Sequence, residues 1–238
     1  MQLLVSVSDA AEARAALDGG ADIIDAKDPL MGALGAVRPD VLSEIRRVVD
    51  PRRLVTAALG DADAAAAVEE LARELVVRGA HLVKVGFAGV ADAGRIEEII
   101  ARLARACAVA DEASGLVAVA YADARVFGCI DAHELLPIAA RSGASGVLVD
   151  TADKRGPGLL DLWSMATLES WVSQAHAHGL MVAVAGKLGL DDLQVVADTG
   201  ADVAGVRGAA CVDGRGGRVS SERVRALAAR VALQRSTT

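Results

Sequence analysis

At 238 residues the chain has room for one large α/β domain, and with 53% hydrophobic but only 2% aromatic residues its core must be Ala, Val, Leu and Ile. A net charge of −7 excludes nucleic acid as a bulk electrostatic partner, yet leaves space for a locally positive pocket that takes a small phosphorylated molecule. No apolar run approaches the roughly 20 residues of a membrane span, MQLLVSVSDA lacks the basic start of a secretory signal, and three scattered cysteines (Cys107, Cys129, Cys211) predict a reduced, cytoplasmic protein.

In chain order the predicted strands are LLVSV (3–7), DIIDA (22–26), LVTAAL (54–59), HLVKVG (81–86), LVAVAY (116–121), GVLVD (146–150), MVAVAG (181–186) and DVAGVRG (202–208). Helical periodicity fills the intervals, with helix starts predicted at Asp61, Asp161 and Ser220 because their side chains suit the N-cap. Eight alternations of strand and helix predict parallel βαβ units closed into a single-domain TIM (β/α)8 barrel over 1–238. A weak repeat agrees: GGAD, RGAH, SGAS and TGAD end at Asp22, His81, Ser145 and Asp202, each just before an even-numbered strand. A glycine there suits a helix C-terminus turning back into the sheet. The competing doubly wound sheet usually carries a Gly-rich loop after its first strand, where this chain reads SVSDAAEA.

Of the 25 basic residues only four are lysine, at 27, 84, 154 and 187, and the other 21 are arginine. A bias so strong at interchangeable surface positions makes each retained lysine informative, since an amine can be deprotonated into a nucleophile and a guanidinium cannot. Lys27 ends the second strand, Lys84 lies in the fourth, and Lys154 and Lys187 follow the sixth and seventh, so all four map to the catalytic face of a barrel or its approach. Asp25 and Lys27 lie two apart on a strand and so share a face. Lys84 on the fourth strand can point into the same space, and close ammonium groups together with burial favour a neutral amine. Such an amine suits Schiff-base chemistry, with a second lysine moving protons. Asp150, in LVDTADK, is a candidate partner or acid–base group. A rim ion pair is the plain alternative for Asp25 and Lys27 taken alone.

The loops after strands seven and eight are the second constellation. Gly186, Gly205 and Gly208 allow close backbone approach to phosphate, and Arg207 or Lys187 adds charge. Tyr121 and Asp123, in YAD, face the site if the register holds. His81, His133, His176 and His178 form no metal-ligating set, Trp163 and Trp171 read as packing or interface residues, and Cys211 reads as filler.

These phrases together resemble one family. LLVSVSDAAEA, GGADIIDAKDP with GALGA, HLVKVG, AYADA, LVDTADK and DVAGVRGAAC, in this order and across nearly the whole chain, are similar to the (5-formylfuran-3-yl)methyl phosphate synthases. The resemblance implies a phosphate-binding TIM barrel that makes the furan precursor of methanofuran from two glyceraldehyde 3-phosphates. It implies Lys27 as Schiff-base nucleophile and Lys84 as proton-transferring residue, with Asp25, Asp150 and Lys154 at polar active-site positions. No metal or organic cofactor is expected. Asp28 stands where relatives often carry Asn, Lys187 stands where a small or polar residue is expected, and Pro157 is unusual in its loop. The rival readings are a class I aldolase or an isomerase acting on another sugar phosphate, or a non-catalytic phosphometabolite-binding regulator. A homo-oligomer is expected of so apolar a barrel.

Overall fold

Strands covered on both faces must be aliphatic throughout, and all eight aliphatic runs become parallel strands. They are β1 Gln2–Val7, β2 Ile23–Ala26, β3 Val55–Asp61, β4 Leu82–Gly86, β5 Gly115–Tyr121, β6 Gly146–Asp150, β7 Met181–Val184 and β8 Val203–Val206. The computed structural model describes residues 1–62 and 65–235. The strands pair in chain order and β8 returns to β1 with Leu4 opposite Gly205, so the sheet closes into the predicted (β/α)8 barrel. Around it run α1 Ala10–Asp18, α2 Pro39–Val48, α3 Ala65–Val77, α4 Ala93–Ala110, α5 Ala132–Arg141, the single turn α6 Leu159–Leu162, α7 Met165–Ala177, α8 Asp192–Asp198 and α9 Ser221–Arg235.

The buried helix faces mix small residues (Ala13, Ala16, Ala139, Ala175) with branched aliphatic ones (Leu42, Ile45, Ile96, Ile100, Leu103, Leu135). Trp171 is their large aromatic, fully buried on α7 with its indole N–H donating to the Ala132 carbonyl at 3.0 Å. The repeated Gly-Ala phrase has the role foreseen for it. Gly20, Gly79, Gly143 and Gly200 all take positive φ, between 81° and 101°, where each helix ends and the chain turns back.

Two predicted helix starts are corrected. Asp61 closes β3, and its carboxylate accepts the Tyr121 hydroxyl at 2.8 Å and the Ala88 N–H at 3.0 Å, while the helix that follows is described from Ala65. Asp161 lies inside α6 and accepts the Gly158 N–H at 2.8 Å, and the longer helix begins only after Ser164, which caps Thr167. Ser220 does precede α9, accepting the Arg223 N–H at 3.4 Å.

Inside the barrel, Leu4, Ile23, Val117, Leu148 and Val203 plug the lower part. Above them the inward positions turn polar on β1–β4 and β6, while Ala183, Ala185 and Gly205 on the β7–β8 side stay small. Polarity on one wall and missing bulk on the other open a cavity of about 480 Å³ at the C-terminal ends of the strands.

Gly86 shows how tightly the top of the barrel is set. A Cβ there would lie 2.3 Å from both Asp61 Oδ1 and the Tyr121 hydroxyl. Gly86→Ala is expected to cost about 1–3 kcal/mol in urea unfolding. Adding Tyr121→Phe, which removes one clashing atom, should cost less than the sum of the two single changes.

Candidate active site

Asp25 is fully buried on β2 and held by three neighbours. It accepts the Ser6 hydroxyl from β1 at 2.8 Å and the Thr56 hydroxyl from β3 at 2.7 Å, and forms an ion pair with Lys84 of β4. Three strands thus fix the carboxylate, and the carboxylate fixes the amine of a fourth. On the opposite wall Asp150 ends β6, and the Lys154 amine reaches back to its Oδ1 at 2.5 Å, where the Thr151 N–H also donates at 2.8 Å. Burial pushes the Asp150 carboxyl up, but the charges of Lys154 and Lys27 and the hydrogen bonds it accepts outweigh this and hold it below its ordinary value.

Lys27 sits between these pairs, one residue past β2, and is 6% exposed. It forms no ion pair of its own among the described residues. Burial is the largest influence on its amine, and the nearby Lys154 and Lys84 add repulsion. Asp150 and Asp25 compensate only in part, so the amine's pKa falls from 10.5 to about 7. A lysine near neutrality is half deprotonated at pH 7 and able to attack a carbonyl.

The predicted residues divide into those that meet at the cavity and those that do not. Asp25, Lys27, Lys84, Asp150, Lys154, Gly186, Lys187, Gly205, Arg207 and Gly208 all line it. Arg207 nevertheless has no donor to offer an anion. Its Nη1 donates to the Ser6 carbonyl (3.0 Å) and Glu12 (2.5 Å), its Nη2 to Glu12 (3.3 Å) and the Gly217 carbonyl (3.1 Å), and its Nε to the Arg215 carbonyl (3.1 Å). It is a strut across the β8–β1 seam. Lys187 takes φ 61°, rare for a residue with a Cβ, and its amine donates to the Gly156 carbonyl at 2.5 Å.

Tyr121 and Asp123 line a neighbouring cleft with Trp163 and His133 instead of the lysine cavity. Burial first, and then the Asp61 carboxylate it donates to, hold the Tyr121 phenol well above its ordinary pKa, so it stays protonated. Asp123 accepts the Ala152 and Asp153 N–H groups at 2.8 and 2.9 Å and so shapes the loop that carries Lys154. Sequence reasoning passed over Ser6, Thr56, Glu12, Asp61 and Arg215. Ser6 and Thr56 were visible as lone hydroxyls within aliphatic strands; nothing local marked the other three. Among the described residues no group of His, Cys, Asp and Glu is arranged to hold a metal, and no helix is long and apolar enough to cross a membrane.

A closed (β/α)8 barrel with buried amines and carboxylates at the C-terminal ends of its strands defines an enzyme of the TIM-barrel class. The profile described as 4-HFC-P synthase matches residues 3–228, and the chain belongs to that synthase family. Among curated relatives, a (5-formylfuran-3-yl)methyl phosphate synthase of Methanothermobacter thermautotrophicus is 40% identical over 231 residues, covering 95% of this chain and 97% of the relative. The enzyme of the same name from Methanocaldococcus jannaschii is 38% identical over 230 residues, covering 95% and 98%. Among solved structures, a 3-hexulose-6-phosphate synthase shares the fold with TM-score 0.69 at 23% identity, covering 97% of this chain and 100% of that one.

The depressed basicity of Lys27 also sets a stability dependence. Folded, it releases its proton near 7, whereas unfolded it releases it near 10.5. The cost of burying the charge is therefore complete below about pH 7 and fades as pH rises towards 10.5. Lys27→Met is expected to stabilise the fold by about 1–4 kcal/mol at pH 6. The gain should shrink steadily up to pH 10, as read by urea unfolding across that range.

Proposed function

We propose that this enzyme condenses two molecules of glyceraldehyde 3-phosphate into (5-formylfuran-3-yl)methyl phosphate through a Schiff base at Lys27, as a step towards a methanofuran-type carrier. The observation that carries the reading is the Lys27 amine, buried at the cavity wall with a pKa of about 7 and bracketed by two carboxylate–amine pairs. The names of its relatives support the product.

The neutral Lys27 amine adds to the aldehyde of one triose, and loss of water leaves an imine. The imine acts as an electron sink, acidifying the adjacent carbon. Lys84, held by Asp25 and made neutral by protonating the hydroxyl that leaves as water, takes that proton to give an enamine. Attack on the second aldehyde, elimination of phosphate, hydrolysis from Lys27 and ring closure follow, with Asp150 and Lys154 serving the remaining proton transfers. Two trioses less one inorganic phosphate and two waters give the product formula, so no oxidant or reductant is required. Formation of the aromatic ring makes the sequence irreversible. Gly186, Gly205 and Gly208 give a phosphate group access to backbone at the β7–β8 end of the cavity.

Borohydride reduction in the presence of glyceraldehyde 3-phosphate should place an adduct on Lys27 by peptide mass mapping, while the unreduced reaction gains furan absorbance. An adduct without furan would favour an aldolase, and triose binding without any adduct would overturn the covalent reading. Lys27→Arg is expected to lose activity by at least about 10³-fold, because a guanidinium cannot form the imine. The rate should also fall about tenfold per pH unit below about pH 6, where the amine is charged. Asp150→Asn should move that acidic limb to lower pH, since the Asp150 charge is what raises the Lys27 pKa.

A further inference from the structure

Arg207 leaves no donor for an anion, yet a second guanidinium lies beside it. Arg215 lines the cavity from the β8–α9 loop, its backbone N 3.7 Å from where a Cβ on Gly208 would stand and its carbonyl held by Arg207 Nε. Its Nη2 crosses the barrel mouth to the β2–α2 loop, donating to the Gly32 carbonyl at 2.6 Å and the Pro29 carbonyl at 3.4 Å. Nε and Nη1 donate to no protein atom, and no carboxylate pairs with the group among the described residues. Partial burial pulls its basicity below the ordinary arginine value. A half-buried cation with two unused donors facing a cavity calls for an oxyanion.

The loop that it holds is built as a flap. Its base is closed by the Asp28 N–H donating to the Gly35 carbonyl at 2.8 Å, so tightly that a Cβ on Gly35 would lie 2.3 Å from the Asp28 carbonyl. Leu34 tucks into the barrel's inner apolar cluster, while Leu30 and Met31 at the tip are 83% and 69% exposed. Lys27 immediately precedes this base.

We propose that Arg215 is the specificity-determining cation of the site, taking a substrate phosphate with Nε and Nη1 while Nη2 latches the β2–α2 flap shut next to Lys27. A phosphate then holds Arg215 in this pose, keeping the flap closed and water off the imine, and a sugar without phosphate does not. The inference rests on the phosphotriose reading above and adds the residue that enforces it. Lysine cannot replace this arginine, because one ammonium does not span an anion and two carbonyls on opposite sides of the mouth.

Inorganic phosphate is the probe, with affinity read by calorimetry and flap closure by thermolysin cleavage between Leu30 and Met31. In the native chain phosphate is expected to bind and to slow that cleavage about fivefold or more. Arg215→Gln should weaken phosphate by about tenfold or more and abolish the protection. Arg215→Lys should keep part of the affinity, yet show no protection at saturating phosphate. Unchanged phosphate affinity in Arg215→Gln, or full protection in Arg215→Lys, would overturn the latch even when the native enzyme binds triose and forms the Lys27 adduct. Failure of the native chain to bind either inorganic phosphate or glyceraldehyde 3-phosphate would overturn the substrate reading as well.

Discussion

Two carboxylates and three of the cavity's four amines are gathered in one cluster, and that imbalance governs the site. Asp25 takes Lys84 and Asp150 takes Lys154, which leaves Lys27 without a carboxylate of its own. In a low-dielectric interior an unbalanced charge costs several kcal/mol, and the cheapest remedy is to release one proton. The amine that lacks a partner is the one that releases it. Its basicity is therefore set first by its own burial and then by the balance of charges around it. Either carboxylate, if removed, would alter the amine across the cavity without touching it.

The rest of the barrel is arranged to keep this cluster fixed. Ser6 and Thr56 spend their hydroxyls on Asp25, so the carboxylate cannot swing away from Lys84 towards Lys27. The Tyr121–Asp61 pair roofs the β3–β5 side and requires a glycine at 86. Arg207 and Glu12 form a second buried ion pair that ties β8 to β1 and α1. Such a pair adds little net stability, but its five satisfied donors fix the loop from which Arg215 projects. Rigidity on the β1–β4 wall and small residues on the β7–β8 wall divide the cavity into a charged end and an accommodating end.

The barrel was legible in the sequence because parallel strands buried on both faces cannot hide: each aliphatic run survives as a strand, with ends moved by a few residues at most. The lysines were legible for a different reason, since a chain that writes arginine by default marks the positions where arginine fails. What could not be read was how each polar group spends its hydrogen bonds. Arg207 looked available to phosphate because its partner Glu12 lies 195 residues away in the chain. Tyr121 and Asp123 pointed to the mouth as the strand period demanded, but their partners, Asp61 at the end of β3 and the 152–153 amides after β6, come from other parts of the chain. Asp61 passed as a helix cap for the same reason. Periodicity says which face a side chain occupies; only tertiary structure says whether its donors are already taken.

That distinction separates the two kinds of cation in the cavity. The lysines are valuable for a proton that can leave, and a neighbouring carboxylate tunes when it does. The arginines keep their protons, so their value lies in geometry: five donors in a fixed plane, able to face several acceptors at once. Arg207 uses all five within the protein and becomes structure. Arg215 uses one nitrogen on the flap and keeps the others for what enters the cavity. Both chemistries converge on the ten-residue stretch from Asp25 to Leu34, in which a charge anchor, a neutral amine and a latched flap follow one another along a single loop. In the proposed imine chemistry the amine must be neutral while the mouth is closed. Burial and the neighbouring lysines supply the first condition, and the proposed phosphate contact at Arg215 supplies the second.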